Sequence, residues 1–252
     1  MLVCSLGSSS KGNAFLIEHE GLSILVDAGF AVRELANRLQ TVGVEPQSVS
    51  AIFVTHEHID HIGGVRRFAE RFGACVFSSP AIRDCVLGDS DVDWRPLAAG
   101  EPVEFEGFCV HPFSVPHDAA DPFGLRIEVG GASIVVCTDL GMPTRLVEYH
   151  LARADVWIIE ANHDPAMLRD GPYPWQLKQR IASAYGHLSN LAAADLIGRV
   201  AHDGLVRLML AHLSETNNTP ELARQTVAEA LNGRPLEPVV ARPDGPVELL
   251  RR

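Results

Sequence analysis

Thr55-His56-Glu57-His58-Ile59-Asp60-His61 is the segment that decides the reading of this chain. It follows directly on Ala51-Ile52-Phe53-Val54, an apolar, β-branched run that predicts a buried strand. His56, His58, Asp60 and His61, each able to ligate a metal, fall within six residues. They cannot all be neighbours on one helix. In a loop at a strand end they can surround a small volume instead. His56 and His58, two positions apart in extended chain, point to the same side, and Asp60 and His61 then turn back as the next helix begins. Imidazole nitrogen and carboxylate oxygen suit zinc, manganese or iron.

Outward from this segment, the pattern alternates strands with helices. Towards the N-terminus, Ala14–Glu18 and Leu22–Val26 read as strands around Glu20-Gly21, and Ala31–Gln40 as a helix. Towards the C-terminus, Ile62–Arg71 reads as a helix opening on Gly63-Gly64. Strands are expected at Ala74–Ser78, Val103–Phe105, Phe108–Phe113, Leu125–Val129, Ser133–Cys137, Val156–Glu160 and Val206–Leu210, and helices at Leu191–Asp203 and Glu221–Leu231. Strands with interspersed helices in both halves predict an α/β (α+β) protein with two sheets packed face to face and helices outside. No linker or low-complexity segment interrupts residues 1–252, so one domain is expected.

The formal net charge of −11 argues against a protein that coats nucleic acid non-specifically, since phosphate binding needs a basic surface. Bound divalent ions reverse the local sign of a site, so an enzyme acting on nucleic acid remains open. The five cysteines are odd in number and have no CxxC pair, which fits neither a disulfide framework nor a zinc ribbon. Apolar runs such as Ile134–Cys137 and Leu208–Ala211 are strand-sized, far short of a membrane span. With no basic-then-apolar leader at Met1–Phe15, a soluble cytoplasmic protein without membrane contact is expected.

HxHxDH after a β-branched strand resembles the signature of the metallo-β-lactamase superfamily, whose fold is a four-layer αββα sandwich with metals at one edge of the sheets. Further segments carry the resemblance: Leu25-Val26-Asp27-Ala28-Gly29, Val115-Pro116-His117, Cys137-Thr138-Asp139-Leu140-Gly141 and Leu210-Ala211-His212-Leu213-Ser214. It implies two divalent ions, Zn2+ or Mn2+. His56, His58 and His117 would hold one, Asp60, His61 and His212 the other, and Asp139 would bridge them. On the residues alone, Asp118 or His111 competes with His117, Asp139 can serve as a helix N-cap, and a lone His after a strand is often structural.

Within the superfamily, diiron oxidoreductases typically carry Glu where this chain has His58, and the glyoxalase-type thioesterases carry a different third motif. Gly186-His187-Leu188-Ser189-Asn190 resembles the Gly-His-Ser/Ala motif of the ribonuclease Z and ribonuclease J groups, in which the His faces the scissile phosphate; the competing reading is a helix start capped by Ser189 or Asn190. Gly7-Ser8-Ser9-Ser10-Lys11-Gly12-Asn13 reads either as a loop offering backbone N–H groups to an anion or as a plain turn. Together with Ala161-Asn162-His163-Asp164 and Asn217-Asn218-Thr219-Pro220, it resembles the YycJ/WalJ-like branch, which is associated with 5′-to-3′ exonuclease activity on DNA.

The resemblance therefore implies a dinuclear phosphodiesterase, a nuclease with DNA ahead of RNA as its substrate. Asp60 and His187 would be catalytic, and Ser9, Asn13, His163 and His187 would contact substrate. Glu160 would orient a ligating imidazole. The competing functions are a cyclic phosphodiesterase of the phosphoribosyl 1,2-cyclic phosphate type, acting on a small phosphodiester, and a non-catalytic metal-binding assembly protein. The basic residues Arg66-Arg67, Arg71, Lys178 and Arg180 read as solvated helix faces rather than as a nucleic-acid track.

Overall fold

A computed structural model describes residues 1–252. The first half of the chain runs β1 (Leu2–Ser9), β2 (Gly12–His19), β3 (Leu22–Val26), α1 (Val32–Thr41), β4 (Val49–Phe53), α2 (Ile59–Ile62), α3 (Val65–Phe72), β5 (Cys75–Ser78), α4 (Arg83–Leu87) and β6 (Trp94–Pro96). The second half runs β7 (Val103–Phe105), β8 (Phe108–Ser114), β9 (Phe123–Val129), β10 (Ala132–Cys137), α5 (Arg145–Leu151), β11 (Val156–Glu160), α6 (Pro165–Asp170), α7 (Trp175–Ile181), α8 (Asn190–Val200), β12 (Arg207–Ala211), α9 (Pro220–Ala230), β13 (Val239–Val240) and β14 (Val247–Arg251).

The strands form two seven-stranded sheets, β14-β1-β2-β3-β4-β5-β6 and β13-β12-β11-β10-β9-β8-β7. Alternation along the strands produces the layers. One set of side chains, including Phe15, Ile17, Phe53, Phe77, Val110, Ile127 and Ile158, fills the space between the sheets. The opposite faces are covered by helices: Leu35, Leu39 and Phe68 pack on the first sheet, and Val147, Leu196 and Val227 on the second. This is the expected sandwich of two mixed sheets with helices outside.

Strand direction explains where the site lies. β3 and β4 run parallel, as do β10, β11 and β12. β8 and β10 are each antiparallel to β9, so β8 shares the direction of β10. The segments holding Asp27, His56, His117, Asp139, Glu160 and His212 therefore leave their strands at C-terminal ends. β2 is antiparallel to β3, which brings its first residues, Gly12 and Asn13, to the end where β3 leaves.

Several local expectations are corrected. Gly7–Asn13 is not a loop; it forms the β1–β2 hairpin, with Ser10 and Lys11 at the turn. The expected helix Ile62–Arg71 is two helices, α2 and α3, broken at Gly63-Gly64. Gly64 N–H donates to Ala28 O at 2.7 Å, and a Cβ at Gly64 would collide with Phe30 O. Close approach of backbones, rather than helix propensity, sets this break. Strands β1, β6, β13 and β14 and helices α4 to α7 are additions to the sequence reading.

Gly29 has the same role on the other side of the contact, since its Cβ would run into the Asp60 carbonyl. Gly29→Ala should therefore cost about 1–3 kcal/mol of stability. Gly245→Ala, where a Cβ meets nothing within 4 Å, should stay within about 0.5 kcal/mol. Urea unfolding of the two variants checks this; equal midpoints would contradict it.

Candidate metal centre and catalytic cleft

At the strand ends the structure gathers the seven side chains expected to ligate. His117 Nε2 is 3.3 Å from His58 Nδ1 and 3.6 Å from Asp139 Oδ1. His56 Nε2 is 4.0 Å from Asp139 Oδ1. His61 Nε2 is 3.1 Å from Asp139 Oδ2 and 3.6 Å from Asp60 Oδ2. His212 Nε2 is 3.3 Å from Asp60 Oδ2, and its Nδ1 is 3.4 Å from Asp139 Oδ1. Asp139 thus borders both groups of histidines.

The far side of most of these rings is held. Thr55 Oγ1 lies 3.0 Å from His56 Nδ1. Asp27 Oδ2 accepts from His61 Nδ1–H at 2.7 Å, and its two oxygens also accept from Thr55 N–H and Oγ1–H. The Gly186 carbonyl accepts from His117 Nδ1–H at 3.0 Å. Glu160 Oε1 accepts from both His212 Nδ1–H and His187 Nδ1–H at 2.9 Å, while its Oε2 accepts from Leu140 N–H and Leu188 N–H. Each such bond directs Nδ1–H to its acceptor and leaves Nε2 as the nitrogen turned towards the cluster or the cleft.

These residues fit a pair of cations. His56 Nε2 and Asp139 Oδ2 are buried and have no hydrogen-bond partner, and buried polar atoms are seldom left so. His117 Nε2, an acceptor because Nδ1–H is given to Gly186, has two further acceptors beside it, Asp118 Oδ1 at 3.5 Å and Asp139 Oδ1 at 3.6 Å. Two nitrogens each about 2.0–2.1 Å from a tetrahedral cation stand ~3.3 Å apart, the spacing seen between His58 and His117. Asp27, Asp139 and His212 take left-handed backbone, with φ of 61°, 55° and 55°. Such strain at three strand ends persists only where the surroundings impose it.

Electrostatics follow from this crowding. Burial works against a charged His212, but Asp139, Asp60 and Glu160 outweigh it and push its pKa up to about 10. Burial likewise opposes a His61 cation, yet Asp139 and Asp27 carry it well above the ordinary imidazole value. His56 falls well below that value through burial and then the neighbouring His61. Burial would raise the Glu160 carboxyl, but His187 and His212 hold it down at about 2. Metal must displace protons from His61 and His212, so affinity should rise with pH between neutral and about 10. Titrating zinc into metal-free protein near pH 7.5, in buffers of different ionisation enthalpy, should show release of about two protons per chain; heats independent of buffer would contradict this.

The histidines and carboxylates open on a cleft of about 230 Å³. Asp60, Asp139, His187 and His212 line one side; Tyr173, Leu177, Arg180 and Ile181 line the other. Arg180 is the one arginine or lysine on this wall, and its Nε donates to Asp118 Oδ2 at 2.5 Å. Arg180, read from sequence as part of a solvated helix face, lines the cleft instead, and Tyr173 belongs to Gly171-Pro172-Tyr173-Pro174-Trp175, a segment that resembles the YycJ/WalJ-like branch without itself assigning a site role.

The expected substrate contacts separate. His187 borders the cleft. Asn13 is fully buried behind the ligand cluster: its Nδ2 is 3.2 Å from Asp60 Oδ2 and 3.1 Å from His61 Nε2, and its Oδ1 accepts from Ser8 Oγ. Ser9 is buried, with its hydroxyl accepting from Lys11 N–H, and its neighbour Ser10 reaches the cleft. His163 lies in a separate cavity of about 470 Å³, walled by the other face of α7 through Trp175, Lys178 and Gln179. Asn162, one residue earlier, lines the cleft. Of the residues competing with His117, Asp118 stands 3.5 Å from its Nε2, whereas His111 groups with Cys109 and Glu128.

Residues 10–156 match the profile of the metallo-beta-lactamase superfamily. The chain belongs to this superfamily. Members of the superfamily bind divalent metals, and the His/Asp clusters described here supply suitable ligands. Among metallo-beta-lactamase relatives, the chain is 35% identical over 232 residues to exodeoxyribonuclease WalJ of Streptococcus pneumoniae serotype 2 (strain D39 / NCTC 7466), covering 90% of this chain and 86% of WalJ. It is 33% identical over 230 residues to exodeoxyribonuclease YycJ of Bacillus anthracis, covering 90% of this chain and 87% of YycJ. The crystal structure of Zn(2+)-bound PqqB from Methylobacterium extorquens superposes over 100% of both chains with a TM-score of 0.75 at 18% identity, a likeness of fold.

Proposed function

We propose that this chain is a metal-dependent phosphodiesterase that degrades DNA as an exonuclease from the 5′ end, with two Zn2+ or Mn2+ ions held by His56, His58, Asp60, His61, His117, Asp139 and His212. The observation that carries this is the gathering of all seven into adjoining groups that share Asp139 and His212, beside a cleft that His187 borders. The exodeoxyribonuclease relatives support DNA as the substrate. When bound, two divalent cations make water ionise near neutral pH and offset charge on a phosphodiester.

The chain's own residues do the rest. Asn13 and His212 orient the Asp60 carboxylate, which accepts a proton from the attacking water. Glu160 holds His187 with Nε2 free. Burial lowers the His187 pKa, but Glu160 and Asp139 more than offset this and raise it above the ordinary imidazole value, the direction that suits a ring giving a proton to the leaving oxygen. Arg180, released from Asp118, binds a non-bridging phosphate oxygen, as a guanidinium does well. The protein acts as one domain in the cytoplasm.

The test is to incubate metal-loaded protein with 5′-phosphorylated DNA, 5′-phosphorylated RNA and bis-p-nitrophenyl phosphate, with manganese and with zinc. Mononucleotide release from the 5′ end of DNA, faster than from RNA, is expected. Hydrolysis of the small diester alone would overturn the nuclease reading, and no hydrolysis of any substrate by metal-loaded protein would overturn the enzyme reading.

A further inference from the structure

Away from the cleft, strands β7, β8 and β9 bring a different set of ligands together. Cys109 and His111 are two apart on β8 and point to the face opposite the inter-sheet core, since their neighbours Phe108 and Val110 are buried in that core. The strand register places Glu128 of β9 directly beside Cys109, and Glu104 of β7 beside it on the other flank. Cys109 Sγ is 3.3 Å from His111 Nε2, and His111 Nε2 is 3.6 Å from Glu128 Oε2. The Glu104 carboxylate, the cross-strand neighbour of Cys109, is near enough to raise the pKa of its thiol.

We propose that Cys109, His111, Glu128 and Glu104 form a separate structural site for a borderline-soft divalent cation such as zinc. A tetrahedral zinc with Zn–S of about 2.3 Å, Zn–N of about 2.0–2.1 Å and Zn–O of about 2.0–2.2 Å requires S···N near 3.5 Å and N···O near 3.3 Å. The observed 3.3 and 3.6 Å agree within a few tenths of an ångström. Cys109, His111 and Glu128 supply three gathered ligand atoms, and Glu104, beside Cys109 in the register of β7, is the side chain available for the fourth position. Arg126 pairs with Glu128 through Oε1, which leaves Oε2 towards His111. Burial, Glu104 and Glu128 together push the Cys109 thiol up to about 11; a cation between them reverses that repulsion and displaces the proton. The ion would tie the short edge strand β7 to β8 and β9, on the strand that leads into His117.

Cobalt tests this directly, because only a thiolate ligand produces near-ultraviolet sulfur-to-cobalt charge-transfer absorption and the seven cleft ligands include no sulfur. The full chain, carrying Cys85→Ser to remove the exposed thiol, is loaded with Co2+ and compared with the same chain carrying Cys109→Ser. The charge-transfer absorption is expected in the first and not in the second, with one fewer cobalt per chain in the second and unchanged phosphodiester hydrolysis. His111→Ala should weaken uptake of that ion at least about tenfold. No such absorption at saturating cobalt, or its persistence in the Cys109→Ser chain, would overturn the proposal. Because the readout follows sulfur, it stands or falls apart from the activity assigned to the cleft.

Discussion

Replacing Asp139 by Asn is expected to strip the cleft of bound metal and to lower phosphodiester turnover by at least about 10³-fold, ~4 kcal/mol of barrier. Asn keeps the volume and the left-handed backbone at position 139, where φ is 55° and Asn is among the few residues at ease, so the fold should survive. What changes is charge. Asp139 faces His56, His61, His117 and His212, and it is the carboxylate those four share. Burial would raise its pKa, yet the surrounding histidines, His212 first, hold it well below the ordinary carboxylate value, so it is anionic at any working pH. An amide there offers one neutral oxygen to two cations and adds an N–H₂ facing imidazoles that need lone pairs. Metal analysis and turnover on a diester check this together. Two ions retained with full turnover would remove Asp139 from the centre of the account.

The parts of this site that could be read from sequence are those where neighbours in the chain are also neighbours in space. His56, His58, Asp60 and His61 lie within six residues at the end of β4, so their joint role is visible in one line of sequence. Asp139 and His212 are visible because each follows an apolar strand at its C-terminal end. Legibility fails where long-range packing decides. Ser9 and Asn13 sit in what composition describes as a flexible Gly/Ser stretch, but the hairpin buries both, and Asn13 serves the ligands from behind. Asn162 and His163 are adjacent, yet they open on different cavities because α7 stands between them. That helix has no fully buried side chain, so its apolar pattern gives no signal, and Arg180 reads only as a solvated basic residue. Cys109 and His111 suggest nothing until strand register sets Glu128 and Glu104 beside them.

Replacing His187 by Ala should lower turnover by about 10²–10⁴-fold while both metal ions remain bound. The ring is held from behind by Glu160 at 2.9 Å and is partly exposed to the cleft, unlike the buried His61, His117, Asp139 and His212 around it. Its pKa is raised by Glu160 and Asp139 against the opposing effect of burial, the direction a proton donor needs. Loss of a proton donor should be felt most with a poor leaving group. A nucleotide alkoxide should therefore suffer near the upper end of the range, and p-nitrophenolate, which leaves without protonation, should suffer far less. Glu160→Gln supplies the contrast. Its carboxylate serves His187 and His212 through one oxygen and two backbone N–H groups through the other, so the variant should lose metal affinity as well as turnover, and on both leaving groups. A His187→Ala protein that hydrolyses DNA at the parent rate, or that loses metal in step with activity, would show that the ring is no proton donor, and the leaving oxygen's proton would then have to come from another group in the cleft.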